Sequence, residues 1–355
     1  MNLYDLGLSD TTQKEYEMNY SNFHLGRVVI ENRNVYKVMT EKGEVAARVS
    51  GKMSYSASAI SEYPKVGDWV LLDREHDTEG DAIIHGVLTR KSTFSRSVAG
   101  RKSDEQAVAT NIDKVFICMA FGHDYNLRRL ERYMSIAWES GATPVVILTK
   151  TDLCEDLVTR ILEVESTVLG VDVFTVNCLT GEGASLIKSN IKPRETVAFI
   201  GSSGVGKSTL INLLLEEEKM SVNTVRKDEK GRHTTTHREM IVLPSGGIVI
   251  DTPGMREIQV FHADLKSSFE DISEIAKRCK YSDCKHDGEP HCAVKRAVEE
   301  GRLSNERLLS YRKLIKELEY SKDREELNSK IAEKKKIVRM MGSLDATKKI
   351  SHHKK

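Results

Sequence analysis

Gly201-Ser202-Ser203-Gly204-Val205-Gly206-Lys207-Ser208 is the stretch on which the fold turns. It matches GxxxxGK[ST], in which glycines let backbone N–H groups turn inward around phosphate oxygens. Lys207 brings a cation to the β and γ positions, and the Ser208 hydroxyl can ligate Mg²⁺. The flanks agree with this reading: Thr196 to Ile200 reads as a buried strand, and Ser208 to Leu215 as a helix whose amino terminus adds its dipole to anion binding. Gly201, Ser202, Ser203, Gly204, Val205, Gly206, Lys207, Ser208 and Thr209 are therefore candidate nucleotide ligands.

Downstream, the apolar run Ile248 to Ile250 ends in Asp251-Thr252-Pro253-Gly254. A carboxylate there can hold Mg²⁺ through water, and the Gly254 N–H can sense a γ-phosphate. Between the two motifs lies Gly231-Arg232-His233-Thr234-Thr235-Thr236, a polar loop able to bring Thr235 to Mg²⁺ and the γ-phosphate and so act as a switch. Upstream, Thr149-Lys150-Thr151-Asp152 ends the strand Thr143 to Leu148 and resembles the [NT]KxD element of guanine-specific GTPases. The Asp152 carboxylate can accept both the N1 and N2 protons of guanine, which adenine cannot offer, while the Lys150 stem lies on the ring face. By itself TKTD also reads as a plain helix cap; beside a phosphate loop and DTPG it selects GTP over ATP. Asn177-Cys178 stands where Ser-Ala usually contacts the base, so its contribution is expected from backbone N–H groups. The order is the most specific feature: Asp152 and Asn177 precede Lys207, Thr235 and Asp251, the reverse of an ordinary Ras-like chain.

The remaining chain divides around this core. The 355 residues predict two or three domains. Leu25 to Ile30, Val35 to Met39, Glu44 to Val49, Asp68 to Leu72 and Ala82 to Leu88 read as five short strands. Such a run suits an OB-fold barrel over 22–100, with an SH3-like barrel as its competitor. Trp69 reads as a core residue, the alternative being a base-stacking platform. After a polar connector from Ser95 to Gln106, strands and helices alternate over 101–262, implying a mainly parallel sheet with ligands at its carboxyl ends. Residues 263–320 read as helical, with Leu308, Tyr311, Ile315 and Leu318 on one packing face and Gly301 as a helix stop. Residues 1–21 form an N-terminal extension and 321–355 a charged tail.

Cys279-x4-Cys284-x-His286-x5-Cys292 offers three thiolates and an imidazole, a standard tetrahedral Zn²⁺ set that leaves no open position for catalysis. His291 is the competing imidazole. Six cysteines are too few for a disulfide scaffold, and no run of about 18 apolar residues suggests a membrane span. The start carries acids rather than the basic region of a signal peptide, so a cytoplasmic protein is expected. A balance of 54 Lys+Arg against 53 Asp+Glu argues against a uniformly basic surface, yet the last 35 residues hold 11 cations and 5 acids.

TKTD, GSSGVGKS, GRHTTTHRE and DTPG in this permuted order, preceded by a small barrel and followed by the cysteine cluster, closely resemble the RsgA family, also called YjeQ or YloQ. The resemblance covers about residues 22 to 300. It implies an OB-fold, a circularly permuted P-loop GTPase domain and a helical zinc-binding domain that together engage the 30S ribosomal subunit and its rRNA. It further implies help in late 30S maturation and GTP hydrolysis stimulated by the particle. By the same resemblance Lys207, Ser208, Thr235 and Asp251 look like phosphate and Mg²⁺ ligands, Thr149, Lys150 and Asp152 like guanine readers, and Cys279, Cys284, His286 and Cys292 like zinc ligands. Met255 follows DTPG where Ras-like enzymes place a water-orienting Gln, so hydrolysis without a partner should be slow. His233 is the family's candidate replacement, with a loop-packing role as its alternative. The tail can contact rRNA phosphates or simply be solvated, and the barrel can bind RNA or act as a spacer. Rival functions are a P-loop phosphotransferase acting on a small molecule and a nucleic-acid-binding module with a structural nucleotide site. A monomer is the default expectation.

Overall fold

A computed structural model describes residues 2–32, 35–56, 60–76, 80–97, 105–216, 238–251, 269–281, 283–316 and 319. The N-terminal strands are β1 (His24–Asn32), β2 (Val35–Thr40), β3 (Gly43–Val49), β4 (Trp69–Leu72) and β5 (Ala82–Val87). They pair in the order β1-β2-β3-β5-β4 and close through β4 onto β1, with β3–β5 as the parallel pair. This closed five-stranded path is that of an OB-fold. Alternation along β2 explains the closure: Tyr36 and Val38 point inward with Val28, Val45, Val70 and Ile84, while the residues between them face out. A short helix, α2 (Gly51–Ser56), follows β3. Trp69 is buried against the Arg27 guanidinium, which lies 5.3 Å from its ring, so it is a core residue and not an exposed stacking platform.

The expected polar connector is in part a hairpin, β6 (Thr93–Ser97) paired with β7 (Glu105–Thr110). Beyond it the parallel sheet runs β10 (Val173–Val176), β9 (Thr143–Thr149), β8 (Lys114–Ala120), β11 (Thr196–Gly201), β13 (Ile248–Asp251), with β12 (Arg238–Val242) antiparallel at its side. β8 is a continuous apolar run because both of its faces are covered. Val115, Ile117 and Met119 belong to one apolar core, and Phe116, Cys118 and Ala120 to the other. The first core takes the inner face of α3 (Leu127–Glu139), which Asn126 caps by accepting the Arg129 N–H at 3.0 Å. The second takes α6 (Lys207–Leu215) through Leu210, Ile211 and Leu214. Helices α4 (Leu157–Thr167) and α5 (Ala184–Asn190) flank β10 in sequence.

Two features went unread in the sequence. Strand β12 pairs with β13 on one side and with barrel strand β1 on the other, at Ile30↔Glu239 and Glu31↔Arg238, so barrel and parallel sheet share one eleven-stranded sheet. The N-terminal extension is no appendage either. Leu3, Leu6 and Leu8 are buried in the main core, and Ser9 caps α1 (Asp10–Asn19) behind them.

The C-terminal unit consists of helices Glu270–Ala276 and Ala293–Glu299 and a third over 305–316. Gly301, at φ 72°, stops the second as expected; Leu308 is buried and Tyr311 packs on the core, while Leu318 lies outside the described residues. No helix among the described residues is long and apolar enough to cross a membrane.

Candidate functional site

Parallel pairing brings the carboxyl ends of five strands to one edge. Gly201 pairs with Cys118, Ala120 with Thr149, and Thr149 with Val176. The phosphate-loop residues, TKTD, Asn177 and Asp251 therefore all leave the sheet on the same side, as ligand sites of open α/β sheets do. The permuted chain order leaves this arrangement intact because the strands keep their spatial order.

The loop after β11 is shaped by glycine where nothing else fits. A Cβ on Gly201, at φ 143°, would stand 2.3 Å from the Cys118 carbonyl oxygen, and Gly206 caps α6 at φ 100°. Lys207 folds back over the loop, its Nζ donating to the carbonyls of Gly201 at 2.8 Å and Ser202 at 2.7 Å. Ser208 and Thr209 occupy the first turn of α6, and Asp251 ends β13, two strands from β8 across β11.

On the guanine side, Lys150 sits in the left-handed region at φ 56° and turns the chain out of β9 into a 3-10 turn, Thr151–Leu153. The turn leaves the Asp152 carboxyl exposed. Thr149 differs from expectation. It is fully buried, and its hydroxyl donates to the Val205 carbonyl at 2.5 Å, bracing the phosphate loop rather than facing out beside Asp152. Asn177 also turns inward. Its Oδ1 accepts the Leu179 N–H at 2.9 Å and its own N–H donates to the Glu182 carbonyl, so it shapes the loop and its N–H is not free for a base. Burial pushes the neighbouring Cys178 thiol up to about 11, with Asp152 adding to the shift, and pushes Cys118 beneath the loop up to about 12. Both thiols are thus protonated near neutral pH and behave as apolar packing groups. His233, Thr235 and Gly254 lie outside the described residues, as does Met255.

The cysteine cluster is assembled by the ends of two helices. Cys279 follows Glu270–Ala276, and Cys292 caps Ala293–Glu299 through its Sγ, which accepts the Lys295 N–H. The ligand atoms of Cys279, Cys284, His286 and Cys292 all lie within 4.8 Å of one another. Cys279 Sγ is 3.9 Å from Cys292 Sγ, and His286 Nδ1 is 3.4 Å from Cys292 Sγ. A tetrahedron with Zn–S bonds of about 2.3 Å has edges of about 3.8 Å, so the donors fit that ion. His286 is buried, whereas the competing His291 is exposed and outside the cluster. Sequence reading missed Glu289, whose carboxylate accepts the backbone N–H groups of Lys285, Asp287 and Gly288. Those bonds, Gly288 first, hold it down to about 2 and order the loop between Cys284 and Cys292.

Comparison with known proteins agrees with this geometry. Residues 87–261 match the RsgA GTPase family. The chain is 45% identical over 351 residues to a small ribosomal subunit biogenesis GTPase RsgA 2 of Lactiplantibacillus plantarum, covering 99% of this chain and 97% of that one. It is 44% identical over 340 residues to an RsgA 1 of Oceanobacillus iheyensis, covering 95% and 97%. Among solved structures it resembles YjeQ from Thermotoga maritima, with a TM-score of 0.62, 26% identity, and 83% of this chain and 98% of that chain covered. YloQ, a circularly permuted GTPase, shares the fold at a TM-score of 0.59 and 24% identity, over 86% and 97% of the two chains. A phosphate loop and a TKTD turn on one sheet edge in permuted order, a barrel before them and a Cys3His cluster after them thus have their counterpart over nearly the whole chain: this protein belongs to the RsgA GTPase family.

Proposed function

We propose that this protein is a GTP-hydrolysing factor of small ribosomal subunit assembly, binding the 30S subunit and its rRNA in the GTP state and leaving on hydrolysis. The observation that carries the reading is the convergence of Lys207, Ser208, Asp152 and Asp251 on one sheet edge despite their permuted order. Glycine-shaped backbone at 201–206 would cradle the phosphates, Lys207 would exchange its two carbonyl acceptors for phosphate oxygens, and the exposed Asp152 would accept the guanine N1 and N2 protons. Ser208, Asp251 and Thr235 would hold Mg²⁺, which supplies charge neutralisation at the phosphates. His233 is the proposed orienting group for the attacking water, in the place that Met255 cannot fill. The cysteine cluster would hold one Zn²⁺ with all four positions filled, a structural role. A monomer acting in the cytoplasm, where small subunits are found, completes the proposal.

Sedimentation with small subunits tests it. Pelleting with a non-hydrolysable GTP analogue and not with GDP is expected, and equal pelleting in both states would refute the switch. Lys207→Ala should abolish hydrolysis, whereas His233→Ala should slow subunit-stimulated hydrolysis more than GTP binding.

A further inference from the structure

Helix α4 carries apolar residues on more than its inner face. Leu157, Ile161, Val164 and Val168 pack on the main core, as one stripe of a helix beside a sheet must. On the solvent side Val158 is 70% exposed and Leu162, one turn on, 58%; Leu169, just past the helix end, is 62% exposed. Single exposed leucines are ordinary, whereas a gathering of them marks a surface that meets a partner. Among the described residues the large exposed leucine and valine side chains are Leu153, Val158, Leu162, Leu169, Leu179 and Leu186, all within 153–186, and otherwise only Val242 and Leu309. Strand β10, which follows α4, pairs with β9 alone and ends the sheet on this side.

Charge decides what can cover such a face. From Asp152 to Asp172 the acids are Asp152, Glu155, Asp156, Glu163, Glu165 and Asp172, and the one cation is Arg160. Arg160 is engaged, 2.8 Å from Glu163 and 5.2 Å from the Tyr125 ring. Glu165, exposed, lies seven residues after Val158 and three after Leu162 and so shares their face. Phosphates of rRNA would be repelled here, and so would an anionic lipid surface. A second copy packed two-fold on the same face would set Glu165 near its own counterpart. A cationic protein segment meets neither obstacle and covers the valine and leucines besides. Given the small-subunit reading above, we propose that the outer face of α4 docks a protein of that subunit, through a segment bearing lysine or arginine around an apolar anchor that packs on Val158 and Leu162.

Photocrosslinking of the full-length protein to purified small subunits, with a non-hydrolysable GTP analogue, tests this. Leu162→p-benzoylphenylalanine should crosslink to a subunit protein, at a peptide that mass spectrometry shows to be rich in lysine or arginine. Crosslinks to an uncharged or acidic peptide, to rRNA, to a second copy of the chain or to its own residues 321–355, or no crosslink at all, would overturn the proposal. Affinity gives an independent readout whose sign differs between partners. Leu162→Ser should weaken subunit binding about tenfold, the scale of losing one interface anchor. Glu165→Lys should weaken it about threefold, the scale of one exposed charge pair. Both should leave GTP hydrolysis without subunits unchanged. Binding unchanged or tightened by Glu165→Lys, as a phosphate surface would produce, refutes docking of a cationic protein. If the unmutated protein pellets with subunits in neither nucleotide state, the small-subunit reading falls and this proposal with it; normal pelleting with crosslinks to rRNA alone removes only the docking face.

Discussion

The GTPase sheet is joined to its neighbours by two seams of different chemistry. On the barrel side the seam is backbone and neutral acceptors at its centre, with the ion pairs Arg194–Asp5 and Lys91–Asp113 at its exposed rim. β1 and β12 pair directly, the Thr110 N–H donates to the Val66 carbonyl at 3.1 Å, and Asn111 Nδ2 donates to the Gly67 carbonyl at 2.9 Å. Arg27, fully buried, reaches the carbonyls of Leu6, Gly67 and Asn111 and the Thr196 hydroxyl, tying the N-terminal extension, the barrel and the start of β11 together. Desolvation lowers its pKa to about 10, still well above neutral, with the Asp113 and Asp68 carboxylates opposing the shift, so the cation persists there without a direct ion pair. On the C-terminal side the seam is made by side chains, Phe269, Ile272 and Leu308 joining the main apolar core beside one ion-paired node. Arg307 Nη1 meets Glu131 of α3 at 2.7 Å, its Nε and Nη2 meet Asp271 at 2.7 and 3.0 Å, and the guanidinium lies 5.0 Å from the Phe269 ring. A recess lined by Met134, Trp138 and Leu169 opens beside it. Backbone pairing closes the first seam whatever the side chains do; the second depends on side-chain packing and on a mostly buried charge cluster, with no strand pairing behind it. If hydrolysis moves one part of the molecule against another, the C-terminal seam is the one built to yield.

Removing the metal should produce the largest divergence between the seams. Structural Zn²⁺ contributes on the order of 10 kcal/mol to small folded units. A strong chelator should therefore release amide protection at 279–316 while the barrel and β12 stay protected in hydrogen exchange. Uniform loss across both seams would show that the C-terminal unit stabilises the whole molecule.

The next effect attacks the barrel side. Gly67 has φ 97°, and a Cβ there would stand 2.2 Å from the Thr110 carbonyl oxygen, a backbone atom with nowhere to go. Gly67→Ala should cost upwards of about 3 kcal/mol, combining left-handed strain with a broken seam. Urea unfolding measures it, and a cost below about 1 kcal/mol would mean that the seam gives locally.

Arg307→Met acts on the other side. Removing one partner strands the carboxylate of Glu131 in a buried position, a loss of roughly 3 kcal/mol. Protection should fall in the helix over 305–316 and not in β1 or β12.

These contrasts also explain what the sequence could and could not disclose. Motifs bound to one loop each, such as GSSGVGKS, were legible because residue type and order carry the chemistry. β8 was legible because a strand covered on both faces must be apolar throughout. β12 was not, since Arg238–Val242 is five residues with a polar start and is a strand only because β1 and β13 hold both its edges. Leu3, Leu6 and Leu8 sit among acids and polar residues in sequence, and their burial follows from packing into the main core, an arrangement only the folded chain displays. TKTD was read as a single base-recognition unit. The hydrogen bond from Thr149 to Val205, 56 residues along the chain, ties its first residue to the segment after β11, a contact no local pattern discloses.

The smallest predicted effect concerns Glu131, where the two ends of the Arg307 pair answer differently. Two carboxylates more than offset burial for Arg307, whose pKa is raised, so it stays cationic. Glu131 is more deeply buried and has a single cationic partner, so desolvation outweighs pairing and its pKa is raised as well. A carboxyl group raised on folding binds more protons in the native state than in the unfolded one. Its contribution is therefore fully present below the unfolded value of about 4.3 and is lost as pH rises through the folded value. The unmutated protein should accordingly lose stability relative to Glu131→Gln as pH climbs from about 4 toward neutrality. Paired urea titrations across that range measure the difference. A gap that moves the other way would mean that the Arg307 charge outweighs burial, and that the C-terminal seam is held as firmly as the barrel's.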